Sequence, residues 1–169
     1  MIIKGLSLLQ PWASLVAGKQ KMWETRSIHW SYTGPIAIHA SANRASGKEW
    51  FEDPTFQEAL GRMGLRHWWA LPFGKVLAIA RIVECMPTVQ AAKLVSDEEL
   101  CFGNYEPGRW AYRLEVLKRL EPAVTRRGAR GLWDWEVPEK YYPVIERTNG
   151  IIEPTRPVST SSHSSVSKP

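Results

Sequence analysis

Cysteine is scarce in this sequence, and long apolar runs are missing. Two cysteines, Cys85 and Cys101, in 169 residues exclude a disulfide scaffold and a cysteine-rich zinc module, and they are typical of a reducing compartment. No apolar run reaches the roughly 18–20 residues that span a bilayer, and residues 1–5 do not resemble a signal peptide. We therefore expect a cytoplasmic protein without a membrane partner. No phosphate-binding loop, dinucleotide fingerprint or metal-ligand spacing occurs, so we predict no cofactor and no metal site.

Basic residues and tryptophan, in contrast, are abundant. Lys and Arg number 22 against 17 Asp and Glu, which gives a formal charge of +5, and the chain has nine tryptophans. Cations neutralise phosphates and flat rings stack on bases, so this composition favours a nucleic-acid partner. The alternative is that the tryptophans fill the core and the charge only aids solubility.

The composition also predicts the domain organisation. Hydrophobic residues make up 44% of the chain and charged residues 23%, which is ordinary for one globular domain. The end of the chain is rich in Ser, Thr and Pro and has little to bury. We predict a folded domain over residues 1–148 and a disordered Ser/Pro-rich tail over residues 149–169.

Hydrophobic patterning predicts an α+β fold, a small and mostly antiparallel β-barrel with helical insertions. No long alternation of strand and helix occurs, which argues against a doubly wound parallel sheet. Strands are predicted at 2–9, 21–27, 35–40, 75–84, 110–117 and 131–137, and helices at 10–17, at 46–63 with a break at Pro54, and within 88–100.

The densest group of charged residues follows the first predicted helix. In a strand over residues 21–27, Glu24 and Arg26 face the same side, whereas Lys21 faces the other side unless the chain bulges. A Glu beside an Arg stays ionised, and a desolvated Lys loses its proton more readily and can act as a base. The alternative is a set of surface ion pairs, each contributing about 0–1 kcal/mol.

Three ordered blocks resemble the activating-signal-cointegrator homology (ASCH) family, whose fold is a β-barrel of the pseudouridine-synthase-and-archaeosine-transglycosylase (PUA) type. The family signature Gly-x-Lys-x-x-Glu-x-Arg is met at its last three positions, although Gly18 lies three residues before Lys21 instead of two. The matching residues lie between about residues 4 and 137. They are Leu6-Ser7 with Gln10-Pro11-Trp12, then Lys21, Glu24 and Arg26, then Gly131-Leu132-Trp133.

The resemblance implies a cleft between the first helix and the barrel, in which the family is thought to bind RNA or modified nucleotides. Some small bacterial members look like amidohydrolases of N4-acylated cytidine, with the pattern Lys-x-x-Thr and a distant Glu. Lys21 matches that pattern, but Glu24 stands in place of the threonine. Deacylation here would need another route, such as activation of water by Glu24 as a general base, and a ribonuclease using Lys21 and Glu24 is a related alternative.

A second basic segment lies late in the chain. Residues 118–131 hold five basic residues and one acidic residue, a local charge of +4, between Trp110 and Trp133. Arginines beside an aromatic platform are typical of single-strand binding, so we predict phosphate contacts at Arg126, Arg127 and Arg130. The alternative is a solvated basic loop.

These observations lead to one hypothesis and two alternatives. We predict a cleft that binds RNA or a modified nucleotide, with Lys21, Glu24 and Arg26 as its floor and Trp12 and Trp133 as its walls. His39 and Ser41 follow a predicted strand and are also candidate ligand contacts, although a lone His is more often structural. The alternatives are a hydrolase acting on N4-acylcytidine or RNA, and a protein-interaction adaptor whose exposed tryptophans meet a partner chain.

Overall fold

The computed structural model of the protein describes residues 1–149 and shows an α+β fold with one mixed sheet and several helices. The predicted tail lies outside the described residues, apart from Asn149, where the last helix ends. None of the helices described is long and apolar enough to cross a membrane. The strands are β1 (Ile2–Leu8), β2 (Trp23–Arg26), β3 (Gly34–Ala40), β4 (Lys75–Pro87), β5 (Trp110–Thr125) and β6 (Leu132–Glu136). The helices are α1 (Trp12–Ala17), α2 (Lys48–Phe51), α3 (Pro54–Arg62), α4 (Thr88–Ala91), α5 (Asp97–Cys101) and α6 (Tyr142–Asn149).

The six strands form one sheet in the order β2-β5-β4-β3-β1-β6. Only β1 and β3 pair in parallel, so the sheet is mostly antiparallel, as predicted. Strands β2 and β6 are its edges, so the backbone hydrogen bonds of the described residues do not close the sheet into the predicted barrel. The sheet nevertheless curls strongly: the Nη2 atom of Arg26 on β2 donates to the carbonyl oxygen of Ser7 on β1 at 3.3 Å, although three strands separate them in the sheet order.

Apolar side chains of β4 pack on both faces of the sheet, which confirms the prediction for residues 75–84. Ala78, Ala80 and Ile82 lie in the inner core, where α1 packs. Val76 and Ile79 lie in the outer core with Ile145 of α6. Alternate side chains of a strand face opposite sides, so a nearly continuous apolar run is what a strand covered on both faces requires. Helix α1 therefore packs on the concave face of the curved sheet, and its first residue, Trp12, is only partly buried.

The break predicted at Pro54 is confirmed, since α2 and α3 are separate helices. Asp53 caps α3, since its Oδ1 accepts from the backbone N–H of Thr55 at 2.8 Å, and Pro54 is tolerated in the first helical turn. Helix α2 therefore ends at Phe51 as a separate short element. Phe51 is buried, whereas the adjacent Trp50 remains 45% exposed.

Two local differences from the sequence prediction concern the basic segment and the turn before β2. Strand β5 continues to Thr125, because register shifts let it follow the long strand β4 as far as the pair Lys75 and Thr125. Lys118 and Arg119 thus belong to a strand, and only residues 126–131 form the loop. In the turn after α1, Lys19 adopts a φ of 59°. The left-handed residue is therefore the one two positions before Lys21, where the resembled signature has its glycine.

Candidate functional site

Two adjoining cavities form one groove along the rim of the curled sheet. They share Ser7, Leu8, Leu9 and Arg26, and their volumes are about 620 Å³ and 710 Å³. We call the first the aromatic lobe; its walls include Trp12, Glu24, Thr25, Trp50, Cys101 and Phe102. We call the second the basic lobe; its walls include His39, Ser41, Asn43, Arg126, Arg127 and Arg130. The groove thus joins an aromatic surface to an arginine-rich one.

Trp12 is held firmly at one wall of the aromatic lobe. Its indole Nε1 donates to the carbonyl oxygen of Phe102 at 2.8 Å, and its ring contacts Phe56 edge-on with centroids 5.6 Å apart. The Trp50 ring lies 5.8 Å from the Trp12 ring at an interplanar angle of 59°. Two indoles in one cavity, one fixed and one partly exposed, provide flat surfaces on which a base can stack.

Glu24 and Arg26 lie on the same side of β2, as the alternation of side chains predicts. Arg26 Nε donates to Glu24 Oε1 at 2.7 Å, and the carboxylate is only about 10% exposed. The guanidinium also lies 5.8 Å from the centre of the Trp30 ring. The two side chains therefore form one polar element in the groove, joined by a charge-assisted hydrogen bond.

Lys21 does not join Glu24 and Arg26 in the groove. Its side chain is 1% exposed, and its ammonium group donates to the carbonyl oxygen of Trp23 and lies 3.6 Å from Glu99 Oε1. The Glu99 carboxylate also accepts from the backbone N–H groups of Met22 and Trp23 at 2.8 Å and 3.1 Å. Lys21 precedes β2, and its pair with Glu99 joins the start of this strand to α5 outside the groove lining.

A group of ionisable side chains lies around the Lys21–Glu99 pair. Burial raises the pKa of Glu99, and Lys21 and the two backbone N–H groups offset this shift only in part. Burial also raises the pKa of Tyr105, and the charges of Glu99 and Glu24 raise it further. The Tyr105 hydroxyl is buried and has no hydrogen-bond partner within residues 1–149. This tyrosine therefore stays neutral beside two carboxylates.

His39 connects the loop over residues 126–131, here called the basic loop, to the sheet. The histidine is 2% exposed; its Nε2 lies 2.9 Å from the carbonyl oxygen of Arg126 and its Nδ1 lies 3.0 Å from Ser7 Oγ. A carbonyl only accepts, so Nε2 carries the proton and Nδ1 accepts from the Ser7 hydroxyl. Trp133 Nε1 donates to the same hydroxyl at 3.1 Å. Trp133 therefore contacts the Ser7–His39 pair and lines neither lobe, whereas the sequence predicts it as a wall of the cleft.

The basic loop lies so close to the sheet that only glycine fits at one position. A Cβ atom built on Gly128 would lie 2.4 Å from Ser7 Oγ and 2.5 Å from the His39 ring. The backbone N–H of Arg126 also donates to the carbonyl oxygen of Gly74 at 3.1 Å. The loop is thus held against the sheet by a hydrogen bond at residue 126 and by close packing at residue 128, which fixes the backbone that carries the arginines. Ser41, a candidate ligand contact, lines the same lobe.

The buried position of His39 predicts a pH dependence of stability. Burial lowers the pKa of His39 below its ordinary value of 6.5, and the hydrogen bond to the Arg126 carbonyl offsets this only in part. The unfolded chain therefore takes up the proton first, so the free energy of unfolding falls as the pH drops below about 6.5. Urea denaturation at a series of pH values from 5 to 7.5 measures this effect. His39→Gln is expected to flatten the dependence and His67→Gln, at an exposed site outside the groove, to retain it; identical slopes in the two variants would contradict the assignment.

Sequence reasoning missed three residues of the site for different reasons. Helical spacing does not single out Trp50, because a tryptophan on a groove wall and one in a core have the same spacing. Alternation along β2 places Thr25 on the side opposite Glu24 and Arg26, yet Thr25 also lines the groove, and its Oγ1 accepts from the backbone N–H of Asn104 at 3.0 Å. Glu99 lies 78 positions after Lys21, and no local pattern links the two.

The described part of the chain contains no group of three or more His, Cys, Asp or Glu side chains that could hold a metal ion. The polar groups that line the groove are its arginines, Glu24, and hydroxyl and amide side chains such as Thr25, Ser41 and Asn43. The chain matches no protein-family model and no curated protein.

Proposed function

We propose that this chain binds single-stranded RNA, or a nucleotide with a modified base, in the groove formed by the aromatic and basic lobes. The observation that carries the proposal is the continuity of the two lobes through Ser7–Leu9 and Arg26. A base stacks on Trp12 and Trp50, and the sugar-phosphate backbone runs towards Arg126 and Arg127. Stacking surfaces beside a positively charged groove are the combination by which proteins hold single strands.

The proposal includes membership in the ASCH family with its PUA-like barrel. The signature residues Glu24 and Arg26 lie in the groove, and Lys19 adopts a left-handed conformation where the signature has glycine. The strong curl of the sheet is compatible with a barrel whose strands β2 and β1 are linked by a side chain in place of a backbone ladder.

Cys101 provides a direct probe of occupancy. Its thiol is exposed and lines the aromatic lobe, whereas Cys85 is half-buried and burial raises its pKa. Iodoacetamide should therefore alkylate Cys101 first, and a bound ligand should slow this reaction. We expect short RNA oligonucleotides of mixed sequence to protect Cys101 in a concentration-dependent way.

Trp50→Ala tests the aromatic lobe, and Trp69→Ala is its matched control. Trp69 is 74% exposed and does not line the groove. Loss of one stacking platform costs about 1–3 kcal/mol, so RNA should protect Cys101 in the Trp50 variant only at about tenfold or higher concentration. Equal protection in both variants, or no protection in the unmodified protein, would contradict the proposal.

The hydrolase alternatives rest on weaker support. Lys21 does not line either lobe, and its ammonium group is occupied by Trp23 and Glu99. Incubation with N4-acetylcytidine and with RNA, followed by mass spectrometry, tests them. Product formation that disappears in Glu24→Gln would make this protein an enzyme with Glu24 as general base.

A further inference from the structure

Arg26 occupies the junction between the two lobes. It is one of four residues that line both cavities, and it is the charged member of that set. Its side chain is 34% exposed, so a ligand that enters the groove can reach it. Any molecule that extends from the aromatic lobe into the basic lobe must pass this guanidinium.

The guanidinium keeps unused donors that are accessible to a ligand. Arginine has five N–H groups. Nε donates to Glu24 and one N–H of Nη2 donates to Ser7, and within residues 1–149 no acceptor is bonded to the other three. Three N–H groups in a fixed plane are suited to the oxygens of a phosphate.

The orientation of Arg26 is set before a ligand binds. The buried Glu24 carboxylate holds Nε, the Ser7 carbonyl holds Nη2, and the Trp30 ring lies under the guanidinium carbon at 5.8 Å. Contacts on three sides remove most of the rotamer freedom of the side chain, so binding an anion costs less conformational entropy than at a free arginine. The arginines of the basic loop are exposed and have no comparable set of side-chain partners among the residues that the structure describes.

We propose that Arg26 binds the phosphate that is attached to the nucleoside held in the aromatic lobe, so that the site selects nucleotides and strands over free nucleosides. This inference rests on the proposed nucleotide-binding function. Glu24 then acts as a positioning residue, since it orients the arginine that contacts the phosphate. The basic loop contacts the next phosphates along the strand.

The test compares adenosine and cytidine with their 5′- and 3′-monophosphates as ligands that protect Cys101 from alkylation, at constant ionic strength. We expect the better monophosphate to protect at a concentration about tenfold lower than its nucleoside. Arg26→Gln should reduce this ratio several-fold, and Arg26→Lys should reduce it in part, because an ammonium lacks the planar fork. Arg113→Gln is the matched control: it removes one positive charge from a half-exposed arginine that pairs with Glu84 outside the groove, and it should leave the ratio unchanged.

The outcomes separate the two proposals. Equal protection by nucleosides and monophosphates would overturn the role of Arg26 and leave nucleoside binding in place. Equal ratios in Arg26→Gln and Arg113→Gln, with both variants folded by circular dichroism, would also overturn it. Protection by an RNA oligonucleotide but by no mononucleotide or nucleoside would count against it too. Failure of every ligand, oligonucleotides included, would overturn the proposed function itself.

Discussion

Lys21→Met is expected to lower the free energy of unfolding by about 3–5 kcal/mol at neutral pH, because removal of one partner leaves a buried charge without compensation. The Lys21 side chain is 1% exposed and Glu99 is about 10% exposed. After the substitution, Glu99 retains only two backbone N–H donors beneath the groove. Chemical denaturation followed by far-UV circular dichroism measures the loss.

The same variant should show a distinctive pH dependence. Burial already raises the pKa of Glu99, and Lys21 is the charge that opposes this shift most strongly. Without Lys21 the folded state favours the protonated carboxyl group still more. A carboxyl group with a raised pKa loses stability as the pH rises, so the destabilisation by Lys21→Met should be larger at pH 8 than at pH 5.

Lys4→Met is the matched control for Lys21→Met. Lys4 forms an ion pair of 2.6 Å with Asp134, but the two side chains are 39% and 63% exposed. An exposed pair contributes about 0–1 kcal/mol, so this variant should remain close to the unmodified protein. The double variant Lys21→Met/Glu99→Gln should be less destabilised than the sum of its single variants, because it removes the uncompensated charge. A small and pH-independent effect of Lys21→Met would show that the pair does not hold β2 to α5.

Replacing Arg126, Arg127 and Arg130 together with Gln is expected to weaken RNA binding by about tenfold or more. Each phosphate contact releases counterions, and for a single strand the slope of log affinity against log salt is about 0.7 per contact. Three lost contacts should therefore reduce the magnitude of this slope by about 2. Fluorescence anisotropy of a labelled mixed-sequence RNA at several salt concentrations measures both quantities.

A second triple variant separates local contacts from net charge. Arg66, Lys93 and Lys140 line neither lobe, so their replacement with Gln removes the same charge from other surfaces. That variant should retain most of the affinity. If the two triple variants behave alike, the attraction is a property of net charge and not of the basic loop. If neither variant changes RNA binding, the basic loop does not contact the strand.

Most secondary structure could be predicted, because short-range periodicity reports which residues are buried. Clean alternation over residues 110–117 reflects Tyr112 and Leu114 in the inner core, and Pro54 with the Asp53 cap separates α2 from α3. The length of β5 could not be predicted, since the segment after Leu117 is polar and becomes a strand only by pairing with β4. Whether the sheet closes into a barrel likewise depends on how its edges β2 and β6 meet, which no local pattern describes.

Alternation alone places Glu24 and Arg26 on one side of a strand, because side chains two positions apart share a side whatever surrounds them. Composition alone likewise identifies the basic segment over residues 118–131. The pairing of Lys21 with Glu99, and the position of the basic loop beside Arg26 in one groove, arise only when the whole chain folds. These contacts join residues 78 to more than 100 positions apart. They depend on how far the sheet curls, which is a property of the packing of α1 and all six strands and not of any short segment.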